Sequence, residues 1–278
     1  MSNALALRRA VVAFKPDVLH SFSRLAYLFP WLMSRLPKVM SYQRHTGGRQ
    51  TALAARLGGQ SLRFTGCSEF ICAQGRRAGG TWQAIHNFVD MKKYTFVPSV
   101  APDAPLVFLG RIESIKGADL AIAIARTSGH RLVLAGNHAQ DGTERDFWDR
   151  KIAPQLGHGG IEWIGEVDDA AKNTLLGTAA ALLVPVQWDE PFGIVFVEAL
   201  ACGTPVIACP RGALSEIVRH SIDGFLVSGS AEACEAVGRL HTLSRAACRQ
   251  RVEHNFSVNV IAAKYEQLYM EMSRPALQ

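Results

Sequence analysis

Short runs of β-branched and aliphatic residues alternate along this chain with stretches in which apolar residues recur at helical spacing. That alternation is the pattern of an α/β protein with parallel sheets. Two blocks carry it. In the first, the pattern predicts a helix over Leu5–Phe14, a strand over Asp17–Phe22, and a helix over Arg24–Arg35 interrupted by Pro30. A strand over Val39–Tyr42, a helix over Thr51–Leu57 and short strands at Leu62–Thr65 and Trp82–His86 follow. The second block has strands at Leu106–Leu109, Arg131–Ala135 and Ile161–Ile164, closed by Gly110, Gly136 and Gly165, with a helix over Gly117–Arg126 after the first. Beyond them come a helix at Ala170–Gly177, a strand at Ala181–Pro185, a helix from Gly193 to Ala201, a strand at Val206–Cys209, a helix at Leu214–Arg219 and a strand at Gly224–Leu226. Helices over Ala231–Leu243 and Val258–Met272 end the pattern, and the proline-bearing stretch Asn87–Ala104 reads as the linker between the blocks.

Composition changes this picture in two ways. A chain of 278 residues with 48% hydrophobic and 19% charged residues can bury two cores, which excludes a disordered or low-complexity protein. The formal charge of +6 conceals an asymmetry: residues 1–96 carry fourteen Lys/Arg against three acids, a net +11, and residues 97–278 carry sixteen against twenty-one, a net −5. A basic first part suits an anionic partner, whether a membrane surface, a nucleic acid or an acidic polysaccharide precursor; a solvated basic face is the simpler reading and the one to prefer from charge alone. The six cysteines show no CxxC pair and no metal-ligand spacing, so they read as reduced, mostly buried thiols of a cytoplasmic protein. No apolar run reaches the ~20 residues that span a bilayer, so association with the inner face of the cytoplasmic membrane would be peripheral.

The chemistry concentrates in Trp188–Pro205, WDEPFGIVFVEALACGTP. Gly193, Ile194 and Val195 form the first turn of a predicted helix, whose unpaired N–H groups and positive dipole end suit a phosphate. Glu190 lies in the loop before that turn and Glu198 about a turn and a half into the helix. Upstream, in LGRIESIKG, Arg111 and Lys116 follow a strand-ending glycine and would project over the same carboxyl edge, where ligands of open α/β sheets bind. Simpler readings stand beside these: the two acids stabilise a helix dipole, and Arg111 pairs with Glu113.

Together these residues resemble glycosyltransferase family 4, group 1. The resemblance rests on E-x7-E at Glu190 and Glu198 within EPFGIVFVEALACGTPVI, on G-R-x4-K-G at Gly110–Gly117, and on RGALSEIV at Arg211–Val218. It extends to KPDVLHSF at Lys15–Phe22, TGCSEF at Thr65–Phe70 and AIHNFVD at Ala84–Asp90. It implies a GT-B fold of two Rossmann-like domains with parallel sheets, the N-terminal one incomplete. The expected division is a partial acceptor-side domain over 1–96, a nucleotide-sugar domain over 97–251 and a final helix over 252–278 that crosses back to the first domain.

The resemblance also implies roles. Arg111, Lys116 and the N–H groups of Gly193, Ile194 and Val195 would hold a donor diphosphate, and Glu198 would accept hydrogen bonds from the ribose. The backbone around Gly165, Glu166 and Val167 would line the base pocket, and Glu190 would contact the donor sugar. His20 would approach that sugar from the first domain; taken by itself it is an ordinary strand-end histidine. The implied reaction moves a sugar from a UDP- or GDP-sugar to an acceptor hydroxyl, sugar or lipid-linked, with retention and without a metal, in surface polysaccharide or glycolipid synthesis. Nucleic acid is not an expected partner. The alternative is a nucleotide-sugar-binding remnant without transferase activity, because the first domain matches only from about its midpoint. That leaves the strand Asp17–Phe22 as an apolar sheet edge, which predicts self-association. A glycoside hydrolase using the two carboxylates fits less well, since phosphate-binding features surround both.

Overall fold

The computed structural model describes residues 2–45 and 48–273 and divides into two compact units, one of residues 1–87 with 261–278 and one of residues 88–260. In the first unit, α1 (Ser2–Phe14), β1 (Leu19–Ser21), β2 (Lys38–Tyr42), α2 (Gly48–Gly58), β3 (Leu62–Gly66), α3 (Glu69–Arg76) and β4 (Thr81–Ala84) follow one another. The expected helix over Arg24–Arg35 is a 3-10 segment, Leu25–Trp31, containing Pro30, whose ring and missing N–H are poorly compatible with a longer α-helix. The four strands form a parallel sheet in the order β1-β2-β3-β4. Among the described strands β1 pairs only with β2, so it stands at an edge.

Period-two alternation in β2 sorts the two faces of this sheet. Met40 points into a core with Leu28, Leu32, Phe64 and Trp82, the last two stacked at 4.7 Å. Lys38 is wholly buried, its ammonium donating to the carbonyls of Trp31 and Ser34 and to Ser61 Oγ; burial lowers its pKa to about 8. Val39 belongs to the other face, where it packs with Ile85, Ile261 and Leu268.

The second unit contains β5 (Leu106–Leu109), α4 (Ala118–Thr127), β6 (Leu132–Ala135), α5 (Gly142–Phe147), β7 (Ile161–Trp163), α6 (Asp169–Thr178), β8 (Ala181–Val184), α7 (Ile194–Ala201), β9 (Val206–Ala208), α8 (Leu214–Ile217), β10 (Gly224–Leu226), α9 (Ser230–Gly238) and α10 (Arg245–Asn255). The last helix, α11 (Val258–Ser273), begins in it and passes into the first unit. All pairings are parallel, in the order β10-β9-β8-β5-β6-β7, the doubly wound Rossmann arrangement. Every residue of β5 and of β8 is buried, as expected of central parallel strands covered on both faces.

The division differs from the expected boundaries for identifiable reasons. Residues 88–96 belong to the second unit because Val89 N–H donates to the Phe256 carbonyl, Thr95 N–H to Asn173 Oδ1, and the Tyr94 hydroxyl to Glu198. At the other end α10 stays with the second unit: Arg249 donates to the carbonyls of Tyr94 and Ala201, and Arg251 to those of Glu216 and Ile217. Only from Ile261 does the chain join the first unit.

Candidate active site

Strand order reverses between β8 and β5, and the crevice at that switch point is where ligands of such sheets bind. A cavity of about 260 Å³ opens there, lined by Gly110, Arg111, Lys116, Lys172, Glu190 and Glu198 together with the first turn of α7. The sequence folds this way locally because two βα connections converge. The one after β5 carries Gly110–Lys116; the one after β8 carries Trp188–Gly193 and delivers Gly193 as the residue preceding α7. The N–H groups of Ile194 and Val195 precede any intrahelical acceptor and lie in the cavity lining, so an anion would meet them directly. From Phe196 to Ala201 every residue of α7 is buried, and Glu198 is the one acid among them.

The two glutamates are anchored alike. Lys116 Nζ donates to Glu190 Oε2 at 2.6 Å and the Trp188 indole N–H donates to the same oxygen at 3.0 Å, with the ammonium 4.7 Å from the centre of the Trp188 ring. Glu198 Oε1 accepts from the Tyr94 hydroxyl at 2.6 Å and from Lys172 Nζ at 2.8 Å. Glu190 and Glu198 are only 7% and 8% exposed, and each carboxylate thus has one oxygen held by a cation and a neutral donor. Among the described residues the other oxygen of each makes no hydrogen bond, and neither is a buried unpartnered atom, so both face solvent.

These contacts shift the neighbouring groups. Burial and the Glu198 carboxylate push the Tyr94 phenol well above its ordinary value. At Lys172, burial opposes the charge, but the hydrogen bond and negative charge of Glu198 outweigh it and hold the ammonium above the usual lysine range.

The RGALSEIV segment braces the Glu190 backbone. Ala213 N–H donates to the Glu190 carbonyl at 2.8 Å, and Gly212, at φ +62°, comes so near that a Cβ there would lie 2.2 Å from the same oxygen. Only glycine allows both that backbone and that approach.

The residues singled out in the sequence do not all meet here. Lys116, Glu190, Glu198 and the Gly193–Val195 turn come together. Arg111 lines the cavity, but its exposed guanidinium pairs with Glu113. Gly165, Glu166 and Val167 follow β7, two strands beyond β5, and lie outside this cavity's lining. His20 belongs to the first unit, where its Nδ1 is 2.6 Å from the Tyr269 hydroxyl and its Nε2 2.6 Å from Ser41 Oγ; burial lowers its pKa to about 4. Tyr94, Lys172 and Trp188 were missed. Trp188 stands two residues before Glu190 and was legible; Tyr94 and Lys172 reach Glu198 only through tertiary packing.

A complete doubly wound sheet with its crevice at the switch point, preceded by a second parallel sheet, defines the GT-B class of glycosyltransferase architecture. The family model "Glycosyl transferases group 1" matches residues 95–251, and the chain belongs to that family. It is 34% identical over 157 residues to the D-inositol 3-phosphate glycosyltransferase of Mycobacterium tuberculosis, a match covering 52% of this chain and 32% of that protein. The chain thus aligns with about a third of that relative's length. Among solved structures it resembles HepE of Anabaena in complex with UDP-glucose (TM-score 0.76, 19% identity, 96% of this chain and 81% of that one). It also resembles a glycosyltransferase of Rickettsia africae (TM-score 0.78, 17% identity, 99% and 82%). At these identities the structures speak for the fold.

Proposed function

We propose that this protein transfers a sugar from a nucleoside diphosphate sugar to the hydroxyl of a sugar or lipid-linked acceptor, with retention, in the synthesis of surface polysaccharide or glycolipid. The observation that carries the reading is the convergence of Lys116, two carboxylates each held through one oxygen only, and the open first turn of α7 in one crevice. The fold neighbour solved with UDP-glucose supports a nucleotide sugar as donor.

The barrier to such a transfer lies in separating the sugar from diphosphate, so charge growing on the phosphate oxygens must be stabilised. Lys116 and the N–H groups of Gly193, Ile194 and Val195 do this, with Arg111 able to swing from Glu113 to the phosphates. That set meets the diphosphate charge without a metal ion. Glu198 turns its solvent-facing oxygen to the ribose hydroxyls, and Glu190 offers its own to the donor sugar while Lys116 and Trp188 hold the other. The base falls toward Gly165, Glu166 and Val167 at the same carboxyl edge. His20, in the first unit, is held as a neutral imidazole within a hydroxyl network. Exposed Phe22, Phe29 and Met33 beside Arg24 and Arg35 support docking of the first unit on an anionic membrane.

Calorimetric titration with UDP- and GDP-sugars, repeated on Glu198→Ala and Lys116→Ala, tests the site. Binding to the wild type that falls at least tenfold in each variant is expected, a loss of about 1.4 kcal/mol or more. Undiminished binding in both variants refutes the assignment. Binding with neither transfer nor hydrolysis of any donor favours a protein that only binds nucleotide sugars.

A further inference from the structure

The anchoring of Glu198 is more elaborate than a hydrogen-bonding acid in a helix requires. Its Oε1 takes two donors from different parts of the chain: Lys172 on α6, 26 residues earlier, and Tyr94, 104 residues earlier. Both donors are themselves fixed. The Tyr94 carbonyl accepts from Arg249, and the next residue is tied to α6 by paired bonds, Thr95 N–H to Asn173 Oδ1 and Asn173 Nδ2 to Thr95 Oγ1. Lys172 Nζ also contacts Asp169 Oδ1 at 3.2 Å and lies 5.9 Å from the centre of the Tyr94 ring. Tyr94, Lys172 and Glu198 therefore form one closed triangle on one side of the cavity, and Lys172 itself lines it.

We infer that Lys172 and Tyr94 are positioning residues that turn the other oxygen of Glu198 toward the ribose of the bound nucleotide; this rests on the nucleotide-sugar reading above. The physical argument is one of stoichiometry. A carboxylate has two oxygens, and a buried one costs several kcal/mol to ionise unless donors reach it. Saturating Oε1 with a cation and a phenol provides that stabilisation without using Oε2, which stays open as a pure acceptor. An acceptor with no donor of its own suits a vicinal pair of hydroxyls and disfavours a second anion. Two anchors are needed because a single one leaves the carboxylate free to rotate about its last side-chain torsion, exchanging bound and open oxygens. Lys172 supplies the charge and Tyr94 the direction.

The test compares a nucleoside diphosphate with its 2′,3′-dideoxy form, using UDP and GDP as probes and taking whichever binds the wild-type protein. Lys172→Met and Tyr94→Phe are expected to weaken binding of the parent nucleotide by about tenfold and threefold while leaving binding of the dideoxy form unchanged. In Glu198→Gln, neither substitution should weaken the parent further, because the pathway to the ribose is already cut. Lys172→Arg, which keeps a cation, should recover part of the loss. Tyr94→Phe removes one oxygen atom and keeps the ring, so it reads the effect even if Lys172→Met folds poorly. Equal weakening of parent and dideoxy forms, or losses that add to that of Glu198→Gln, overturns the inference and makes the triangle a structural ion pair. Wild-type binding to both variants overturns it as well. A wild-type protein that binds neither UDP nor GDP overturns the nucleotide reading itself, and the inference with it.

Discussion

His20 sits where a titrating histidine should penalise the folded state. Its two ring nitrogens meet two hydroxyls, Tyr269 and Ser41, and Ser41 is in turn hydrogen bonded to Thr65. A neutral imidazole satisfies this arrangement in either tautomer, since each hydroxyl can donate or accept. An imidazolium would need both to accept and gains no carboxylate from these contacts, so burial dominates and lowers the pKa from 6.5 to about 4. Between those values the unfolded chain binds a proton that the folded chain refuses. Stability contributed by neutral His20 is therefore whole above pH 6.5 and is lost as pH falls toward 4. At about 1.4 kcal/mol per pH unit the full loss is roughly 3 kcal/mol, an upper figure because the ring is only partly buried. Proton NMR titration, with the resonance assigned by its disappearance in His20→Gln, should show one histidine still neutral at pH 5. Urea midpoints of wild type and His20→Gln should converge as pH drops from 7 to 4.5, since the variant lacks the titrating group. A His20 resonance that titrates at 6.5 or above, or midpoints that fall in parallel, refutes the reasoning.

Two further outcomes follow from the geometry. Gly212→Ala places a methyl 2.2 Å from the Glu190 carbonyl at a left-handed backbone position, so it should cost about 1–3 kcal/mol in thermal unfolding and also weaken donor binding; unchanged affinity would separate this glycine from the site. Docking of the first unit on anionic lipid should appear as co-sedimentation with vesicles containing phosphatidylglycerol, weakened by salt and by Phe22→Ser with Phe29→Ser; sedimentation indifferent to lipid charge and salt would count against it.

How far the sequence disclosed this molecule depended on how local each signal was. The strand Leu106–Leu109 was placed to the residue because its entire run is buried, and Gly224–Leu226 at the sheet edge was too, although Leu226 is only partly buried. Helix α10 was missed because only Cys248 and Val252 of its eleven residues are buried, too few for an apolar stripe, although Ser244 caps it through Ala247 N–H. Helix α3 was missed for a similar reason: in eight residues the buried set is only Ile71, Cys72 and Gly75, helically spaced but too short a stripe to stand out, and the cue was the Ser68 cap. Glu190, Glu198 and Lys116 could be named because their spacing is local to two short motifs. Nothing in the spacing of Tyr94 or Lys172 announces that three separate segments meet at one carboxylate.

The glycines at the strand ends carry one more consequence. Gly110, Gly136 and Gly165 end three neighbouring strands. A Cβ on Gly136 would lie 2.0 Å from the Gly110 carbonyl, while its N–H donates to the Gly165 carbonyl. At Gly136, peptide groups of neighbouring strand ends pack directly against one another, so no side chain fits there. All three hold φ between +75° and +151°, where any side chain is strained, so a mutational search for altered nucleotide-sugar binding should leave these positions fixed and spend its diversity on the segments after β5, β7 and β8.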